Sequence, residues 1–150
     1  MKKILLYTIM IIAVLIPACV PVPATGGNTQ TLDDPKPFIQ VVDQSIVDGS
    51  VIIPVVYSKG PGWVAIHSNV ASTPGAIIGY TPVVDGENVG IEVFIDPLSA
   101  TKVLYAMLYT DAGLVGEFEF PGADEPVMAD DKEVIESFMV DHSINISDFY

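Results

Sequence analysis

The chain has 150 residues, half of them hydrophobic, with 19 acidic against 6 basic side chains and a formal net charge of −13. Nucleic acid is excluded as a partner, because a phosphate backbone needs a basic stripe to release its counterions and this chain has six lysines, scattered, and no arginine. The size suits one domain with a core of its own, and a single cysteine rules out a disulfide framework.

Residues 1–18 read as a signal peptide. Lys2 and Lys3 precede an apolar run, 4–18, that is 15 residues long, whereas a spanning helix needs about 20. The run ends in Ile16-Pro17-Ala18-Cys19, which resembles a bacterial lipobox: an aliphatic residue at −3, a small one at −1 and cysteine at +1. Pro17 departs from the residues usual at −2. The resemblance implies that the Cys19 thiol receives a diacylglyceryl group and that membrane lipid is a partner of the mature chain. Conventional cleavage and an uncleaved anchor are the alternatives. Each buried acyl CH₂ contributes roughly 0.8 kcal/mol, so several chains hold where one would not. Residues 19–37 are rich in Pro, Gly, Thr and Asn without apolar periodicity and form a tether, reaching some tens of ångströms at about 3 Å per extended residue. The expected place is the cell envelope, outside the cytoplasm. Loss of residues 1–18 removes Lys2 and Lys3 and leaves a formal charge of −15, which an anionic bilayer surface repels.

Residues 38–150 are expected to form one β-sandwich domain. Short β-branched and aromatic runs at 38–46, 50–58, 62–67, 76–80, 88–95, 102–110, 117–120 and 133–141 alternate with Gly, Pro, Asp and Asn. Asp48-Gly49 and Asp85-Gly86 adopt positive φ cheaply and mark tight turns. Val89, Ile91, Val93 and Ile95 share one face of a half-buried strand, with Glu92 opposite. Residues 102–110 are apolar on both faces and belong at the centre of a sheet. Pro54 predicts an edge or a bulge. Trp63, the one tryptophan, is expected in the core. Seven or eight strands without an amphipathic helix predict an all-β Greek-key sandwich of immunoglobulin or cupredoxin type, with a small barrel as the alternative.

Four stretches together resemble a group of uncharacterised secreted domains of archaeal and bacterial surface proteins, a domain of unknown function. They are Gly62-Trp63-Val64-Ala65-Ile66-His67, residues 79–88 with their Asp85-Gly86-Glu87-Asn88 turn, strand 104–109, and Gly116-Glu117-Phe118-Glu119-Phe120-Pro121-Gly122-Ala123-Asp124-Glu125-Pro126-Val127. The resemblance covers most of 38–141 and implies a surface sandwich without transferring an active site.

Little chemistry is written in the side chains. A blue-copper centre needs a cysteine thiolate with two histidines; Cys19 is the anchor, and His67, His142, Met107, Met128 and Met139 lack copper-carrier spacing. No Gly-x-Ser-x-Gly elbow is present, and Ser68 points to the other face of the strand from His67. A paired-carboxylate glycosidase needs a larger cleft than a domain of this size offers. His67 is expected to be a hydrogen-bonded structural residue. No cofactor is required, and calcium is the one ion the acidic loops at Asp111, Asp124, Glu125 and Asp130 suit, although no EF-hand pattern is present. Asn145-Ile146-Ser147 is a glycosylation pattern only in a host that glycosylates. The sequence therefore predicts a non-enzymatic, membrane-anchored module with a structural, adhesion or binding role toward envelope or surface proteins. The alternative is an extracytoplasmic calcium-binding protein. Trp63 and His67 are the candidate binding residues.

Overall fold

A computed structural model describes residues 34–141. The expected signal peptide, Cys19 and most of the expected tether lie outside the described residues, as do His142 and residues 143–150. Ten strands follow in order: β1 Phe38–Gln40, β2 Gln44–Ser45, β3 Ser50–Ser58, β4 Gly62–Val70, β5 Thr73–Val83, β6 Gly86–Phe94, β7 Val103–Thr110, β8 Met128–Ala129, β9 Lys132–Glu133 and β10 Ile135–Asp141. They form a three-stranded sheet, β1-β3-β6, a five-stranded sheet, β2-β10-β7-β4-β5, and the small β8-β9 hairpin. The chain is an all-β sandwich. Its β10-β7-β4 order reproduces the G-F-C order of an immunoglobulin sheet, with β3 and β6 as the B and E strands opposite.

The core lies between the sheets. Val51, Ile53, Val56, Val93 and Ile95 from one meet Val64, Ile66, Leu104, Ala106, Leu108, Phe138 and Val140 from the other. Each such side chain contributes about 1.5–3 kcal/mol when fully buried, so this layer is the main source of stability. As expected, β7 is central, between β10 and β4.

Pro54 shapes the first two strands. The expected strand 38–46 is two short strands in different sheets: β1 pairs antiparallel with β3 as far as Gln40↔Val55, and β2 pairs parallel with the end of β10. The next partner for β1 would be Pro54, which has no N–H to offer, and there the chain leaves for the other sheet. Gln44 closes the gap: its amide nitrogen donates to the Ile52 carbonyl (2.9 Å) and its amide oxygen accepts from the Ile52 N–H (2.8 Å). Pro54 itself is not on an edge, since β3 is the middle strand of its sheet.

Nor is a residue inserted there, because Ile53↔Ile91 and Val55↔Val89 keep one register on either side. What slips is the alternation. Gly90, opposite Pro54, takes φ 64°, and burial in β3 passes from Val51 and Ile53 to Val56 instead of Val55. Val89 is consequently 69% exposed, against the sequence expectation that it shares the buried face of Val93 and Ile95.

Two other expectations change. Residues 62–67 and 76–80 are parts of one long hairpin, β4 and β5, turned by Ala71 and Ser72 at φ 50° and 66°; neither is among the Gly, Asn and Asp residues that take positive φ cheaply, so the turn carries no hairpin signal in the sequence. Residues 117–120 are not a strand. Asp130 and Asp131, at φ 51° and 61°, turn the β8-β9 hairpin.

The sheets meet at one corner, where Asp96 N–H donates to the Ile78 carbonyl (2.7 Å) and Thr81 Oγ1 to the Glu92 carbonyl (2.9 Å). Gly79 sits in this corner, and a Cβ there would strike the Phe94 carbonyl oxygen. Gly79→Ala is expected to lower stability by about 1–3 kcal/mol in chemical denaturation, since backbone of two strands has to move apart.

Candidate functional site

Strand β4 is buried continuously from Gly62 to Ser68. One face, Val64 and Ile66, belongs to the sandwich core. The other carries Trp63, Ala65 and His67, which point away from the second sheet. Beside them on β7 stand Met107 and Tyr109, so the outer face of the five-stranded sheet has a second apolar cluster. Trp63 is buried, as expected, but in this outer layer.

The cover is the segment 111–127 between β7 and β8, here called the strap. Phe118 packs on Trp63 (ring centroids 5.6 Å), on Tyr80 of β5 (4.6 Å) and edge-on to Tyr109 (5.5 Å). Phe120 packs on Tyr109 at 4.8 Å. Edge-to-face and tilted pairs of this kind add about 0.5–1.5 kcal/mol each beyond the area they bury. The alternation of 117–120 is therefore real, but it serves to seat two phenylalanines on a sheet face instead of pairing with a strand.

Acidic side chains hold the strap in shape. Asp124, fully buried, accepts the Ala112 N–H on one oxygen (2.7 Å) and the Glu119 N–H on the other (2.8 Å). Asp111 accepts from Gly116 N–H at 3.0 and 3.1 Å, and Glu119 from Leu114 N–H at 2.7 Å. The far leg returns to β7 through Thr110 N–H to the Glu125 carbonyl (2.9 Å) and Val127 N–H to the Leu108 carbonyl (2.8 Å). Asp130 is elsewhere, at the hairpin tip, taking the Lys36 ammonium at 2.6 and 2.8 Å. The four acids proposed from sequence as cation ligands are thus spread over two places, with Asp111 and Asp124 engaged by backbone and Asp130 by Lys36. Among the described residues no group of three or more His, Cys, Asp or Glu side chains is placed to hold a metal ion.

His67 lies within β4, not at a strand end, and is hydrogen-bonded on both nitrogens. Nδ1 is 2.9 Å from the Gly75 carbonyl and Nε2 is 3.0 Å from the Tyr109 hydroxyl. A carbonyl only accepts, so Nδ1 carries the proton and neutral Nε2 receives the Tyr109 O–H. Burial lowers the His67 pKa, against smaller upward pulls from the Gly75 carbonyl and Glu133. Burial, with Glu133, pushes the Tyr109 hydroxyl up to about 12. Met107 Sδ is 3.2 Å from the same hydroxyl. The pair is thus a neutral structural bridge between β4 and β7. Among the described residues Trp63 Nε1 is the buried side-chain polar atom without a hydrogen-bond partner; the rings of Tyr80 and Phe118 pack against the Trp63 ring.

Where the strap turns back toward the β8-β9 hairpin an open groove of about 440 Å³ remains, lined by Phe120, Pro121, Glu125, Pro126, Met128 and Glu133, with Gly122 and buried Asp124. Sequence reasoning brought Trp63, His67, Asp124 and Glu125 into view. It missed Tyr80, Tyr109, Phe118, Phe120, Met128 and Glu133, because nothing in the chain announces that the strap folds over β4 and β7.

Two outcomes follow. Asp124→Asn is expected to cost about 1.5–3 kcal/mol, the worth of hydrogen bonds to a charged acceptor, by the same amount in calcium and in chelator, since both carboxylate oxygens already serve the strap. For His67 the unfolded chain binds a proton near the ordinary 6.5 while the folded chain resists it, so the unfolded state holds more protons below that pH and stability falls as pH falls. Melting curves of His67→Gln should lose that part of the decline between about pH 7 and 5 relative to wild type.

The family model described as Domain of unknown function (DUF7282) matches residues 37–141, from the residue before β1 to the end of β10. No match was found among curated proteins or among solved structures. With the match spanning both sheets and the strap, well over half the chain, this protein belongs to the DUF7282 family.

Proposed function

We propose that this protein is a non-enzymatic binding module, held at the outer side of a membrane by lipid on Cys19 and presenting the strap groove to envelope or surface proteins. The observation that carries the reading is the use to which polar chemistry is put around the aromatic site. His67 is neutral and bound to a carbonyl and a phenol, Tyr109 holds its proton, and Asp111, Asp124 and Glu119 accept backbone N–H groups. These are the partners of a rigid frame, and they leave no activated base or nucleophile in it. A frame of that kind positions a surface. The exposed parts are Phe120 and the Glu125 carboxylate on the strap, where recognition residues commonly stand, with Met128 and the Glu133 carboxylate on the adjoining β8-β9 hairpin.

Anchoring suits the same reading. The lipobox-like Ile16-Pro17-Ala18-Cys19 precedes a Pro- and Gly-rich stretch that gives reach, and the acidity of the mature chain keeps the domain off an anionic surface. In cells fed a palmitate label, wild type is expected to take up label and enter the detergent phase on phase separation. Cys19→Ser is expected to stay unlabelled and aqueous; labelled Cys19→Ser protein in the detergent phase overturns the anchor.

A further inference from the structure

We infer that the strap groove receives an arginine-bearing segment of another protein, an assignment that rests on the binding-module reading and names its partner chemistry. Phe120 is 39% and Met128 54% exposed, so two large apolar groups stand uncovered in one concave place between Pro121 and Pro126. Glu125 and Glu133 share that lining, and both are exposed. No lysine lines the groove. Among the described residues neither glutamate is in an ion pair, while Lys36 and Lys59 are committed to Asp130 and Asp34. The groove therefore combines a ring, a thioether and negative charge that the domain leaves unneutralised.

That combination suits a guanidinium. Its planar face stacks on an aromatic ring while its edge forks to a carboxylate, and its weak hydration makes an apolar wall tolerable; an ammonium does neither of the first two. Methionine adapts its shape to a flexible aliphatic stem. The source has to be foreign, because this chain contains no arginine for a second copy to offer.

The sole tryptophan supplies a reporter, since Trp63 touches Phe118, which stacks with Phe120 at 6.4 Å. The test titrates the full-length chain in detergent micelles with a blocked pentapeptide carrying two arginines between glycine and alanine, read by Trp63 fluorescence and calorimetry. Saturable binding is expected, weakened about tenfold or more by Glu133→Gln or Glu125→Gln and by citrulline in place of arginine. Glu87→Gln, which removes one charge from exposed β6 outside the groove, is expected to leave it unchanged. Near-UV circular dichroism shows whether each variant keeps its aromatic packing; the glutamates are exposed, so their substitution leaves the fold intact. Equal weakening by Glu87→Gln and Glu133→Gln overturns the inference in favour of diffuse attraction to an acidic surface. Equal binding of the citrulline peptide, or of a peptide with lysine in place of both arginines, overturns the guanidinium assignment, and absence of binding overturns it altogether. Detergent partitioning of wild type and Cys19→Ser is scored on separate samples, so a failed anchor and an empty groove are told apart.

Discussion

Because β4 and β7 bury both faces, the domain needs three layers where a sandwich usually needs two. The inner faces meet the three-stranded sheet; the outer faces, with Trp63, His67, Met107 and Tyr109, need a cover that neither sheet supplies. The strap is that cover, and the features of interest at the site follow from it. Phe118 and Phe120 are set by the rings they meet, Asp124 is buried because the strap must close on itself, and the groove is the space left where the strap turns back.

The distribution of charge follows the same logic. A strongly acidic chain places three of its carboxylates where they accept strap N–H groups, satisfying backbone that has no strand to pair with. Inside a short irregular segment this does the work that a ladder does in a sheet. Two of the lysines fasten the segment entering the domain, Lys36 on Asp130 and Lys59 on Asp34, the latter carboxylate also accepting from Tyr57. The Lys59 ammonium holds the Asp34 carboxyl below its ordinary range. Both pairs are solvent-exposed, so they fix the course of residues 34–37 more than they stabilise the fold.

Legibility in the sequence was uneven for physical reasons. Periodicity identified β3, β6 and β7, since a long strand repeats its pattern often enough to be read. It merged β1 and β2, because the break is imposed by Pro54 on a different strand. It placed Val89 on the buried face because the slip at Gly90 exists only when Gly90 stands opposite Pro54. Phe118 and Phe120 were visible as an alternating pair, and alternation alone does not say whether the apolar face will meet a strand partner or a sheet surface. The acids of the strap looked like loop carboxylates free for a cation, because a side chain that accepts a neighbouring N–H has the same sequence as one that faces water.

What the sequence determined by itself was composition-driven: an all-β chain with a central β7. These depend on residue type and local period, which the chain carries wherever it folds. The tertiary structure decided the third layer, the neutral His67–Tyr109 bridge, the service of Asp124 to the strap and the gathering of Phe120, Met128, Glu125 and Glu133 around one groove. Each of these joins residues from separate elements, and its energy exists only once β4 and β7 have presented an outer face for residues 111–127 to bury.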